Sequence, residues 1–244
     1  MSLVLATDDS GGPEIFASVQ GEGLATGQPC TFIRLSRCNL ACIWCDTAYT
    51  WHFDGDERPH RDGVTFERKS NQITLDEADV AERITALGQH RLVITGGEPL
   101  MQAPALVELL ELLPDIHVEI ETNGTARPGP QLDVRIDQFN VSPKLAHSGN
   151  AAELALIPER LHAYASDHRA SFKFVIAQPE DVAEVADIVR KYHIRPECVF
   201  LMPEGTDSAT LRTREGWLVP LCLEHGFRMS DRLHIHLFGD TRGT

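Results

Sequence analysis

The sequence predicts an α/β protein built on a mostly parallel sheet. Short apolar, β-branched runs alternate with helix-periodic segments, and most of those runs are apolar on both faces. Glycine, proline and polar residues gather at the carboxyl end of nearly every run. Such alternation builds right-handed βαβ units, whose functional sites lie at the carboxyl ends of the strands. An open sheet and a barrel both satisfy it.

The strand candidates are CTFIRL (30–35), RLVIT (91–95), HVEIET (117–122), FNVS (139–142), FKFVIA (172–177), CVFLM (198–202) and LHIHLF (233–238). Between them, Thr74-Leu75-Asp76-Glu77 reads as a capping box opening a helix to about Leu87. A second helix spans about Ala103 to Leu113 and a third follows Ala151. A fourth carries Pro179 in its first turn and reaches Tyr192. A fifth covers about Ser208 to His225, with breaks expected near Gly216 or Pro220.

The 244 residues read as a single domain with a mobile polar insertion at about 51–72. A formal charge of −14 argues against general affinity for nucleic acid or anionic membranes. No apolar run reaches the roughly 18 residues of a membrane helix, and the first residues, MSLVLATDDSGG, lack the pattern of a secretory signal. A cytoplasmic location is the expectation, and there clustered cysteines serve as metal ligands or catalysts more often than as disulfides.

The loops after the strands carry the chemistry. CTFIRL is followed by Cys38-Asn-Leu-Ala-Cys42-Ile-Trp-Cys45, RLVIT by Gly96-Gly97-Glu98-Pro99, and HVEI by Glu121-Thr122-Asn123-Gly124. FNV is followed by Ser142-Pro143-Lys144, and CVFL by Met202-Pro203-Glu204-Gly205. Five such loops at one mouth point to a shared site. Three cysteines spaced C-x3-C-x2-C are one thiol short of a tetrahedral zinc site, which one of the eleven histidines or a distant cysteine would have to complete. They are also three of the four thiolates of a cubane iron–sulfur cluster, which leaves one iron open. Cys30, Cys198 and Cys222 are scattered and read as buried small hydrophobes, and His52 and His60 as loop residues without ligand spacing.

The C-x3-C-x2-C loop, with Trp44 before its last cysteine, and the GGEP turn together resemble the radical S-adenosylmethionine (SAM) enzymes. EIFASVQGEG (14–23), Cys45-Asp46-Thr47, TGGEP, ETNG, SPK, FKFV and MPEG are similar, within that group, to the 7-carboxy-7-deazaguanine synthases. The resemblance implies an incomplete (β/α)6-type barrel with a [4Fe–4S] cluster, SAM and Mg²⁺. It also implies ring contraction of 6-carboxy-5,6,7,8-tetrahydropterin to 7-carboxy-7-deazaguanine with loss of ammonia. Hydrogen is moved by radical chemistry, so no acid or base is assigned. A flavodoxin or ferredoxin would supply the electron, and the family commonly forms homodimers.

Residue by residue, the resemblance implies that Cys38, Cys42 and Cys45 hold the cluster and that Trp44, Cys45, Asp46 and Gly97 lie along SAM. Ser142, Pro143 and Lys144 would hold SAM's polar groups, and Met202, Pro203, Glu204 and Gly205 its adenosine end. Thr47 would bind Mg²⁺. Val19, Gln20, Gly21, Glu22, Arg34, Thr95, Glu121, His234 and the terminal Thr244 would contact the substrate. The residue types suit these roles. Gln20, Glu22 and Glu121 match the donor and acceptor edge of a pterin, and the planar fork of Arg34 suits a carboxylate. Of His234 and His236, which alternate along the expected last strand, His234 fits the family pattern better. The alternatives are a radical SAM activase acting on a glycyl-radical protein and a non-catalytic zinc or iron–sulfur protein.

Overall fold

A computed structural model describes all 244 residues. The chain opens with β1 (Ser2–Ala6), β2 (Ile15–Val19) and β3 (Pro29–Leu35). After the cysteine loop come α1 (Arg68–Asn71), β4 (Gln72–Asp76), α2 (Glu77–Leu87), β5 (Arg91–Gly96), α3 (Ala103–Glu111) and β6 (His117–Thr122). Then follow α4 (Pro130–Asp133), β7 (Gln138–Val141), α5 (Ala152–Ala155), α6 (Pro158–Ala165), β8 (Ala170–Ile176) and α7 (Asp181–Tyr192). The last elements are β9 (Val199–Pro203), α8 (Ser208–His225), β10 (Arg228–Met229) and α9 (Leu233–Phe238).

One sheet carries the order β10-β9-β8-β7-β6-β5-β3-β1-β4, with β2 beside β3. From β3 through β5 to β10 every pairing is parallel. β1, β2 and β4 add antiparallel pairings at the β3 edge. The sheet is not closed, so the expected incomplete barrel is the architecture found, with six long parallel strands and the two-residue β10 beyond them. No helix is long and apolar enough to cross a membrane.

The strands are not apolar on both faces, as the sequence reading had them. Ile33 and Leu35, Leu92 and Ile94, Val118 and Ile120, Phe139 and Val141, Phe172 and Phe174, and Val199 and Leu201 enter one buried core with the helices. Their alternates form the opposite face, which carries Arg34, Thr95, Glu119, Glu121, Asn140 and Lys173. Side chains alternate along a strand, so the same six strands supply a hydrophobic layer and a polar lining. The polar positions are few per strand, which is why the runs read as continuous.

Other expectations change. LHIHLF is the helix α9, and its regular alternation imitated a strand. Two residues apart on a helix point to nearly opposite sides, so His234 and His236 part company. The helix after β4 is capped by Asp76, whose carboxylate accepts the Asp79 N–H at 2.9 Å, and Thr74 lies in the strand. The helix after Ala151 is two pieces, α5 and α6, because Pro158 at the first turn of α6 disfavours helical backbone just before it. α8 runs unbroken through Gly216 and Pro220. In the 51–72 segment, Trp51, His52 and Phe53 are buried, and Phe53 bridges to Phe66, so its ends are packed and residues 57–59 and 61–65 are exposed. Cys30 and Cys222 are buried as expected, whereas Cys198 is half-buried in a short 3-10 turn before β9.

Candidate active site

The cysteine loop hangs from the end of β3 by its backbone. Arg37 adopts a left-handed conformation (φ 79°), which is uncommon for a residue with a side chain. Its N–H donates to the Thr50 carbonyl at 2.7 Å, and its carbonyl accepts the Glu98 N–H at 2.9 Å. The GGEP turn lies hard against it. A Cβ on Gly97 would sit 1.9 Å from the Arg37 carbonyl oxygen, and one on Gly96 (φ +128°) would sit 2.0 Å from that of Leu35. The contact that excludes a side chain at these glycines is therefore internal: two strand-end loops meet backbone to backbone. Glu98 locks the turn to the end of β6, accepting from Thr122 Oγ1 at 2.9 Å and the Asn123 N–H at 2.8 Å.

All three loop cysteines are free thiols lining a cavity of about 240 Å³, and no fourth thiol lines it. Burial pushes the Cys38 thiol up to about 12 and the Cys42 thiol up to about 11, and it raises that of Cys45 as well. Left to themselves they stay protonated; a bound metal displaces those protons, since the thiolate is the ligand. Each sulfur has a polar neighbour. The Asn150 amide nitrogen is 3.3 Å from Cys42 Sγ, the Thr47 hydroxyl 3.6 Å from Cys45 Sγ, and the Asn123 amide nitrogen 4.0 Å from Cys38 Sγ. Three convergent thiols with hydrogen-bond donors and no protein group to complete a fourth thiolate fit a [4Fe–4S] cluster with one open iron.

Beside the loop, the buried Trp44 indole N–H has no partner in the protein, a donor left for a ligand. Its ring stacks on His147 at 5.5 Å, and the Lys144 ammonium stands 5.7 Å from the ring centre while donating to Ser142 Oγ at 2.8 Å. Met202, Pro203, Glu204 and Gly205 line the same end. The Glu204 carboxylate is taken up by Arg61, at 2.5 Å, and by Arg214. Arg61 comes from the 51–72 segment, whose His60 also meets the Cys45 carbonyl at 2.9 Å, so that segment borders the site.

The other end of the cavity is the polar face of the sheet. Gln20 donates to Glu119 at 2.5 Å and to Glu121 at 3.3 Å, and Thr95 donates to Glu121 at 3.2 Å. Arg34 gives its Nε to Glu14 at 2.7 Å and its side chain makes no other hydrogen bond, which leaves its terminal nitrogens without a protein partner beside the cavity it lines. Glu22 is paired with Lys173 and with Arg232 Nε at 3.0 Å. Arg232 also pairs with Asp46 and donates to the Gly205 carbonyl at 2.5 Å, joining the two ends of the cavity. Burial raises carboxyl pKa values, but the Lys173 and Arg232 charges outweigh it at Glu22 and hold that group well below the usual range; Arg232 does the same for Asp46. Burial lowers His234, which therefore stays neutral, and raises Glu119. His234 packs on Gly21, where a Cβ would lie 2.2 Å from its Nδ1. His236 points elsewhere, to Ser208 at 2.9 Å and Asp231 at 3.1 Å.

Every residue the sequence reading assigned to the site lines this cavity except Pro143, which is buried between Ser142 and Lys144. Val19, Thr47 and Thr244 are among the lining residues. The reading missed Glu14, Lys173, Arg232, Asn140 and Arg242. A lysine inside FKFV and a glutamate opening EIFASVQGEG were visible signals. Arg232 was hidden by the strand reading of the residues after it.

Residues 32–205 match the model of the Radical SAM superfamily, and the chain belongs to that superfamily, whose members work with a [4Fe–4S] cluster and SAM. The chain is 38% identical over 234 residues to the 7-carboxy-7-deazaguanine synthase of Pyrobaculum aerophilum, covering 94% of this chain and 95% of that one. It is 34% identical to that of Rhodopirellula baltica, covering 95% and 87%. The crystal structure of QueE from Escherichia coli superposes with a TM-score of 0.67 at 26% identity, covering 96% and 95%. Within the superfamily, the chain belongs to the 7-carboxy-7-deazaguanine synthase family.

Proposed function

We infer that the chain converts 6-carboxy-5,6,7,8-tetrahydropterin to 7-carboxy-7-deazaguanine with loss of ammonia. The observation that carries this is a single cavity with the three-cysteine loop at one end and, at the other, an arginine with two unpaired nitrogens beside a Gln, Thr and Glu array. When bound, the cluster and SAM supply one-electron chemistry that moves a hydrogen on and off the pterin. Cys38, Cys42 and Cys45 would hold the cluster. Trp44, Asp46, Gly97, Ser142, Lys144 and Met202–Gly205 would hold SAM.

The chain's own residues bind and orient. The free edge of Arg34 takes the substrate carboxylate, held in its plane by Glu14, which Tyr49 in turn fixes at 2.9 Å. Gln20, Thr95 and Glu121 present alternating donors and acceptors to the heterocycle. The Lys173–Glu22–Arg232–Asp46 chain sets the distance between the two ends of the cavity. Residues 239–242 and Thr244 border the cavity and help exclude water from it. Thr47, with substrate oxygens and water, would hold Mg²⁺, a cation that takes few ligands from protein. A flavodoxin or ferredoxin as electron donor, a homodimer and a cytoplasmic location complete the proposal. A cavity bordered by its own C-terminal residues suits a small substrate better than the glycyl loop of a protein, which an activase would need to admit.

The test is reconstitution with iron and sulfide without oxygen, followed by SAM, Mg²⁺, a one-electron reductant and the carboxylated pterin. Mass spectrometry should find 7-carboxy-7-deazaguanine, absent when SAM or pterin is omitted. A protein that holds about four irons and cleaves SAM but forms no such product would overturn the substrate assignment.

A further inference from the structure

We propose that Asn150 is a positioning and tuning residue for the iron–sulfur cluster: its side-chain amide donates a hydrogen bond to the Cys42 thiolate and raises the reduction potential. The proposal rests on the reading that the three cysteines hold the cluster.

The orientation of the amide is fixed by its partners. Asn150 Oδ1 accepts the Ala41 backbone N–H at 2.9 Å, and a backbone N–H can only donate. The oxygen therefore faces Ala41, and the NH₂ group must face the other way. There it has two acceptors for its two hydrogens, Ser148 Oγ at 3.2 Å and Cys42 Sγ at 3.3 Å. The backbone around it is equally determined. The Ile43 N–H donates to the Ser148 carbonyl at 2.9 Å, and Gly149 turns the chain with φ +80° where a Cβ would lie 2.8 Å from Ile43. The loop after β7 is thus laced along residues 41–43, and the Asn150 amide is carried to the sulfur by that lacing.

The other two sulfurs have different neighbours. The Asn123 amide is 4.0 Å from Cys38 and also donates to Asn39 at 2.9 Å, and the Thr47 hydroxyl, 3.6 Å from Cys45, is the proposed Mg²⁺ ligand. Of the two side-chain amides beside the loop sulfurs, only that of Asn150 lies within ordinary hydrogen-bond reach, while the Trp51 indole N–H serves Cys45. Reducing the cluster adds one electron to a thiolate-ligated centre. A donor at sulfur stabilises the more negative state, so the potential rises. The effect is to bring the cluster within reach of a biological one-electron carrier.

The test compares wild type with Asn150→Leu, which removes donor and acceptor, and Asn150→Asp, which keeps the acceptor for Ala41 and replaces the donor. Iron content is measured first; a wild-type protein without cluster overturns the cysteine reading and this proposal with it. Anaerobic redox titration followed by electron paramagnetic resonance should then show a reduction constant at least about tenfold smaller in Asn150→Leu, about 59 mV for one electron, and smaller still in Asn150→Asp. Constants within threefold of wild type in both, or a fall only in the charged variant, would overturn the hydrogen bond. A charge-independent reading covers a Leu variant that fails to load. With asparagine labelled by ¹⁵N, pulsed resonance of the reduced wild-type cluster should show a nitrogen coupling that Asn150→Asp weakens or removes. No coupling, or an unchanged one, would overturn the proposal.

Discussion

Arg34 is held through its Nε by a Glu14 carboxylate oxygen 2.7 Å away, and the Glu14 side chain is wholly shielded from solvent. The pair leaves the outer edge of the guanidinium free, so under the proposed function Glu14 would act on substrate by aiming Arg34. Arg34→Ala should weaken pterin binding by about 1.5–3 kcal/mol, the range for a hydrogen bond to a charged group, with SAM binding unchanged. Glu14→Gln should give a smaller loss, and the double variant little more than Arg34→Ala alone. Anaerobic calorimetry on the four proteins reads the coupling; additive losses would separate the two residues.

Gly97→Ala places a methyl 1.9 Å from the Arg37 carbonyl oxygen, a backbone atom that cannot swing away. The expected loss is about 3 kcal/mol or more, at the upper end for overpacking. Because Arg37 precedes Cys38, iron content per chain should fall as well. Thermal unfolding and iron assay check the two effects together.

The acid limb of stability should carry the signature of Glu22. Its folded pKa lies below the ordinary value because Lys173 and Arg232 outweigh burial. A depressed carboxyl contributes stability that is fully present above the unfolded value, about 4.3, and is lost as pH falls below it toward the folded value. Glu22→Gln should be less stable at pH 7, and its unfolding midpoint should fall less steeply below pH 4.5 than that of wild type. Parallel curves would remove Glu22 from the linkage.

Arg242 stacks its guanidinium 3.6 Å from the centre of the Tyr49 ring and donates to Asn71 at 3.0 Å, tying the C-terminal residues to the neighbourhood of the cysteine loop. Arg242→Ala should raise KM for the pterin about tenfold, equivalent to about 1.4 kcal/mol, with kcat changed less. Steady-state kinetics separate the two; a fall in kcat alone would place the tail in chemistry rather than closure.

The parallel strands were legible because each is a compact apolar run followed by turn residues, and the site was legible because its motifs sit at those strand ends. β1, β2 and β4 were not, since they pair antiparallel outside the βαβ alternation and β4 runs straight into α2. The two uses of a single strand were also invisible: Lys173 between Phe172 and Phe174 breaks the apolar run only once. Arg232 and Asn150 lie outside every motif, and only the fold brings them to Glu22 and Cys42, 210 and 108 residues away. Gly96 and Gly97 were legible as a turn, but the meeting of two backbones that requires them there was not.

The alternation of the six long strands has a consequence for redesign. Residues facing the helices hold the molecule up; their neighbours, one position along, face the cavity. A library that varies only the inward positions of β5 to β7, such as Thr95, Glu121 and Asn140, would search for new heterocyclic substrates while leaving the hydrophobic core and the cysteine loop untouched.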